Sequence, residues 1–164
     1  MPASPAATRQ FDLPDEHATE AFAARLAQAI AARPNEGLHV HLSGDLGAGK
    51  TTLVRALLRA LGHTGRVRSP TYTLCEPYNI DFPKGRLEVY HFDLYRFADP
   101  AEWHDAGFRD HFSGNALCLI EWPEKAGSLL GVPDLTLKLE PAGSGRRLTA
   151  VACTPKGIAV LDQC

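Results

Sequence analysis

The sequence predicts an α/β fold in a single domain, on three observations. An apolar run at residues 38–42 has strand length, enters a glycine-rich turn and continues as an amphipathic helix over 51–61. A second run, at 117–120, is apolar at every position, as suits a strand buried on both faces of a parallel sheet. Two pairs of extended segments, 72–80 with 86–93 and 135–140 with 147–153, are each split by a turn, which adds antiparallel hairpins. At 164 residues the chain is long enough for one core, and no linker divides it.

Residues 1–10 are Ala/Pro-rich and are expected to be a disordered tail, with the domain spanning 11–164. Asp15 is placed as the N-cap of a first helix, with Glu16 favourable in its first turn. Phe22, Leu26 and Ile30 form the apolar stripe of that helix, and Arg33-Pro34 ends it. In the helix at 51–61, Leu53, Leu57 and Leu61 share a face and Gly62 is the stop signal. The first hairpin turns at 81–85, and the second at 141–145. Asp99-Pro100-Ala101-Glu102 resembles a capping box with proline at the first helical position, which predicts a helix to about Phe112.

Composition excludes several classes. Apolar residues make up 45% and charged residues 22%, as in an ordinary globular protein. A net charge of −2 argues against a binder held to nucleic acid mainly by electrostatics. No apolar run reaches membrane-spanning length, and the start of the chain does not read as a secretory signal, so a cytoplasmic protein is expected. Cys75, Cys118, Cys153 and Cys164 form no CxxC pair, which predicts reduced thiols rather than a zinc site or a disulfide framework.

Chemistry concentrates in Gly44-Asp45-Leu46-Gly47-Ala48-Gly49-Lys50-Thr51, a full GxxxxGK[ST] match between a strand and a helix. Glycines let successive backbone N–H groups turn inward around a phosphate, and the helix that follows adds its positive dipole end. Lys50 is expected to reach the β- and γ-phosphates and Thr51 to place a hydroxyl on magnesium, with Thr52 behind them. Hydrolysis also needs a carboxylate on the metal side and a means of orienting water. Glu121 follows the apolar run at 117–120, at the carboxyl end of a strand, where α/β sheets bind their ligands. Asp93 ends the segment 87–92 and by position reads equally as a catalytic carboxylate or a turn aspartate. Trp122 reads as nucleotide-adjacent or as core, and Ser69-Pro70-Thr71 as an ordinary turn or a switch loop. His39 and His41 alternate on one strand face without a third ligand, so packing explains them better than metal. Arg55, Arg59, Arg66 and Arg68 form an acid-free stretch with Lys50, either a solvated helix face or a patch for an anionic partner.

Four motifs in order, GDLGAGKTT, RSPTYTL, YHFDLYR with ADPAE, and LIEWPE, resemble the TsaE (YjeE) family, the small bacterial ATPase of tRNA threonylcarbamoyladenosine biosynthesis. The resemblance covers nearly the whole chain. It implies a single P-loop α/β domain with a central parallel sheet extended by antiparallel strands and flanked by helices. It also implies binding and slow hydrolysis of ATP with Mg2+, and action with TsaB and TsaD, which modify adenosine 37 of tRNA. Contact with tRNA is implied to be indirect or transient, with no role for a membrane. By motif position it implies that Thr51 and Glu121 hold magnesium, that Asp93 belongs to the catalytic set, that Thr71 lies in the switch-like loop and that Trp122 adjoins the nucleotide. It further implies that Glu16 and Arg146 border ATP. Two other classes compete on the same loop: a small kinase for a metabolite or nucleoside, and a nucleotide-switch binding module. The first would need an acceptor site and an Arg-bearing lid, and no segment reads as that lid.

Overall fold

The computed structural model describes residues 7–107, 111 and 114–164. The chain runs β1 (Ala7–Leu13), α1 (Glu16–Ala31), β2 (Leu38–Ser43), α2 (Lys50–Leu61), β3 (Cys75–Phe82), β4 (Gly85–Asp93) and α3 (Ala101–Asp105). It continues through β5 (Leu117–Glu121), a 3-10 segment (Pro123–Leu130), β6 (Leu135–Ala142), β7 (Gly145–Ala152) and α4 (Pro155–Leu161). One seven-stranded sheet has the order β1-β7-β6-β2-β5-β4-β3. The pairs β6–β2, β2–β5 and β5–β4 are parallel, and the outer pairs are antiparallel. The expected α/β domain, with a parallel centre and antiparallel margins, is the architecture found.

Burial explains the layers. The larger core packs α1, α2 and α4 on one face of the sheet and includes Phe22, Leu26, Ile30, Leu53, Leu57 and Leu61, the two helical stripes read from the sequence. A smaller core on the other face joins Phe92, Trp103, Cys118, Ile120, Ala126 and Leu130 beneath α3 and the 3-10 segment. Strand β5 is buried at all five positions because it lies between two parallel neighbours and both layers. All four cysteines are unbridged, and burial raises the Cys75 and Cys118 thiols to about 12, which keeps them protonated.

Local expectations hold at several ends. The Asp15 carboxylate accepts the Ala18 N–H at 2.9 Å and caps α1. The box before α3 forms reciprocally: Asp99 accepts from the Ala101 N–H at 2.8 Å, and Glu102 accepts from the Asp99 N–H at 2.9 Å.

Other expectations are corrected. Residues 7–10, read as tail, belong to β1, which pairs with β7 and buries Leu13; residues 1–6 lie outside the described set. An edge strand held by backbone bonds needs no apolar alternation, and six of its seven side chains are not fully buried. The helix expected to reach Phe112 is α3, Ala101–Asp105, and Gly107 at φ 74° breaks helical backbone; residues 108–110, 112 and 113 lie outside the described set. Both hairpin turns shrink to two residues, Pro83-Lys84 and Gly143-Ser144, because Phe82 pairs with Gly85 and Ala142 with Gly145. Helix α4 and the 3-10 segment were not expected. The first is capped by the Thr154 hydroxyl, which accepts the Gly157 N–H at 3.1 Å.

Candidate functional site

The parallel strands β2, β4 and β5 end together. Leu42 and Asp93 flank Glu121 in the final register pairs, so the two carboxylates sit side by side on neighbouring strands. His91 lies two residues before Asp93, and the two-residue period of a strand turns it to the same face. That face meets the first turn of α2. The Thr51 hydroxyl lies 3.2 Å from Oε1 and 3.3 Å from Oε2 of Glu121.

The loop before α2 has the backbone its sequence requires. Gly49, the N-cap, adopts φ 103°, a left-handed conformation, and any Cβ there would collide with the Arg146 side chain. A Cβ on Gly44 would come within 2.7 Å of the Leu139 carbonyl. Ala48 is buried, and Asp45 closes the turn by accepting the Ala48 N–H at 2.9 Å.

Lys50 is 4% exposed. Its ammonium donates to the Gly44 carbonyl at 2.6 Å and lies 3.5 Å from the centre of the Trp122 ring. It makes no ion pair among the described residues. Burial lowers its pKa, against the charges of Glu121, Glu124, Asp93 and Asp45, which raise it. A buried cation whose direct contacts are neutral groups, at the start of a helix, is an arrangement that can receive an anion.

Trp122 reaches this position through strain. It adopts φ 57°, ψ 49°, which is costly for a bulky residue, directly after β5. Its ring centroid is 4.9 Å from that of Tyr95. Asp93 accepts the Tyr95 N–H at 3.0 Å. Burial raises the Asp93 pKa, the Tyr95 hydrogen bond opposes this, and the Glu121 charge adds to it.

Leu46, Gly47, Gly49, Lys50, Thr51 and Thr52 line a cleft here, and Ser69, Thr71, Asp93, Tyr95, Glu121, Trp122 and Arg146 complete it. Arg146 donates to the Gly47 carbonyl at 3.3 Å. The Thr71 hydroxyl is 2.7 Å from that of Ser69, and the Leu74 carbonyl that ends their loop accepts the Asp93 N–H at 3.1 Å. Glu16 is not brought into this cleft. It lines a neighbouring groove between α1 and α2 with Thr19 and Arg55, and Thr52 touches both. Arg59 is committed to its own helix end, where it donates to the carbonyls of His63 and Gly65. His39 and His41 lie on the opposite sheet face, in register with Cys118 and Ile120. Burial lowers the pKa of both, that of His41 to about 4.

Two residues at the site escaped sequence reasoning: Tyr95, which lines the cleft, and His91, which is buried behind Glu121. Tyr95 gave no signal of its own. For His91 the signal was available: it stands at period two from Asp93. Its Nε2 is 2.6 Å from Glu121 Oε2 and the side chain is fully buried.

The oxygen donors at the strand ends are a hydroxyl and two carboxylates of like charge. Such a set fits magnesium, which takes one or two protein carboxylates and completes its shell with water and phosphate oxygens. No group of three or more His, Cys, Asp or Glu side chains placed to hold a metal occurs among the described residues, so this is no all-protein cage.

The profile of the TsaE family, described as threonylcarbamoyl adenosine biosynthesis protein TsaE, matches residues 13–148. The chain belongs to the TsaE family. A Haemophilus influenzae relative named tRNA threonylcarbamoyladenosine biosynthesis protein TsaE is 43% identical over 146 residues, covering 88% of this chain and 90% of that one. A Bacillus subtilis protein of the same name is 38% identical over 122 residues, covering 74% and 73%. The crystal structure of Bacillus subtilis YdiB superposes with a TM-score of 0.74 at 27% identity, covering 98% of this chain and 96% of that one. Among the described residues no helix is long and apolar enough to cross a membrane.

Proposed function

We propose that this TsaE-family chain is a Mg2+-dependent ATPase of tRNA threonylcarbamoyladenosine biosynthesis, weak alone and acting in the cytoplasm with TsaB and TsaD. The observation that carries this reading is the meeting of Thr51 with both oxygens of Glu121 beside the buried ammonium of Lys50. The backbone N–H groups of residues 47–51 and Lys50 bind the phosphates. Thr51 and Glu121 would hold magnesium, and Asp93 would assist them. Magnesium, when bound, neutralises charge that develops on the phosphate oxygens. Asp93 and Glu121 orient water near the γ-phosphate, and Arg146 closes the cleft over the loop. The names of the relatives support the tRNA pathway. The reading includes a role in sustaining repeated turnover of the TsaB–TsaD transferase, with tRNA touched indirectly or transiently.

Four assays test the reading. The chain alone should bind labelled ATP in a Mg2+-dependent way and release phosphate slowly. Together with TsaB and TsaD it should co-purify in an ATP-dependent way and raise the number of modified tRNAs per transferase. Transfer of phosphate to a metabolite or nucleoside would instead make it a kinase, and full support of tRNA modification by Glu121→Gln would make it a switch module.

A further inference from the structure

The proposed site uses Lys50, Thr51, Asp93 and Glu121 and assigns nothing to His91. Yet His91 is fully buried, its Nε2 is 2.6 Å from Glu121 Oε2, and its Nδ1 has no hydrogen-bond partner. A carboxylate can only accept, so Nε2 carries the hydrogen. The neutral ring then leaves Nδ1 as an unpaired acceptor, whereas a doubly protonated ring would bury an unpaired donor. A packed apolar residue would leave neither atom unsatisfied, so the polar contact itself needs an explanation.

Glu121 supplies it. The residue is 2% exposed, and the described partners of its side chain are His91 and Thr51. Oε2 takes the short bond from His91 and a longer one from Thr51; Oε1 has Thr51 alone. A carboxylate tethered at one oxygen cannot turn about its terminal torsion, which fixes the direction of the other. The parallel register makes the tether rigid, because His91 and Glu121 stand on adjacent strands and not on loops. We propose that His91 is a positioning residue: its Nε2–H clamps Oε2 of Glu121 and thereby presents Oε1 and the Thr51 hydroxyl as a preformed half-shell for the nucleotide's divalent cation. Partners of this kind behind ligating groups typically change metal affinity 10- to 100-fold when removed. The inference rests on the ATP–magnesium reading above.

Three variants test it: His91→Phe, which keeps the ring and loses the donor; His91→Gln, whose amide nitrogen sits near Nε2; and His91→Asn, whose amide falls short of Glu121. Each is titrated with Mg2+ in the presence of a non-hydrolysable ATP analogue, with binding followed by calorimetry; melting without nucleotide checks folding. His91→Phe and His91→Asn should raise the Mg2+ concentration at half-saturation about tenfold or more. His91→Gln should stay within about threefold of the parent, and nucleotide binding without Mg2+ should stay within about twofold in all three, because the cation shell alone is altered. If His91→Phe does not fold, the contrast between Gln and Asn decides alone. Equal values for Gln and Asn, or a loss of Mg2+-free binding in Asn, would reduce His91 to packing. If the parent binds the analogue with no Mg2+ dependence, the ATP–magnesium reading itself fails and the clamp with it.

Discussion

The two ends of the central strands differ in what they bury. Among the described residues the buried polar side chains are Lys50, His91 and Glu121, and all three stand at the carboxyl ends of β2, β4 and β5 or on the helix facing them. The described non-glycine residues with positive φ, Leu74 and Trp122, belong to the same end. At the amino ends the chain is ordinary. Ala29, Ile30, Leu38, Leu87, Leu117 and Val160 line a small apolar cavity. Lys156 at its rim donates to the carbonyls of Glu36 and Gly37, and Arg33 pairs with Glu36 at 3.7 Å. Among the described residues the amino end buries no polar side chain, and the other end holds a buried cation, a half-satisfied imidazole and a strained tryptophan. Such features persist where surrounding structure holds them in place, and they gather at functional sites.

The contrast predicts separable effects. The largest is on stability: Leu117→Ala at the amino end of β5, fully buried, should cost about 3 kcal/mol in urea unfolding and leave ATP affinity within about twofold. A tenfold fall in affinity of the folded variant would show that the ends are coupled. Glu121→Gln keeps shape and removes charge, so turnover should fall about 100-fold, near 2.7 kcal/mol, while nucleotide binding falls less. Its melting temperature should hold or rise, since a buried charge is removed; a drop of several degrees would mean that the carboxylate also carries the fold. Lys50→Ala should lower ATP affinity or turnover at least about tenfold, or 1.4 kcal/mol. Unchanged titration and phosphate release would remove the loop from the site. The smallest effect lies on the opposite face of the sheet. The folded His41 pKa is near 4, below its ordinary 6.5, so the unfolded chain takes the proton first on acidification. Stability from this residue is therefore full above pH 6.5 and lost as pH falls toward 4. Partial exposure limits the loss to about 1 kcal/mol, and His41→Gln should flatten that part of the curve.

Legibility followed the same division. The strand–loop–helix around Lys50 was readable because each signal is local: an apolar run, glycines where φ must be positive, and a stripe at helical spacing. Glu121 was readable because it ends an unbroken apolar strand. Asp93 stayed ambiguous, since its meaning comes from standing beside Glu121, and that is a fact of register. Strand β1 was missed because backbone pairing with β7 holds it, and backbone hydrogen bonds leave no trace in side-chain pattern.

The sequence by itself determined the phosphate loop, the helical stripes, the buried central strand and the family, all of which rest on residue types at short spacing. Tertiary structure decided that His91 reaches Glu121 across 30 residues, that Trp122 covers Lys50, that Arg146 comes over Gly47, and that Glu16 stays outside the cleft. These contacts depend on which strands become neighbours and in what register. A shift of one residue would turn His91 and Glu121 to opposite faces, and burial of both sheet faces fixes that register only when the whole chain has packed.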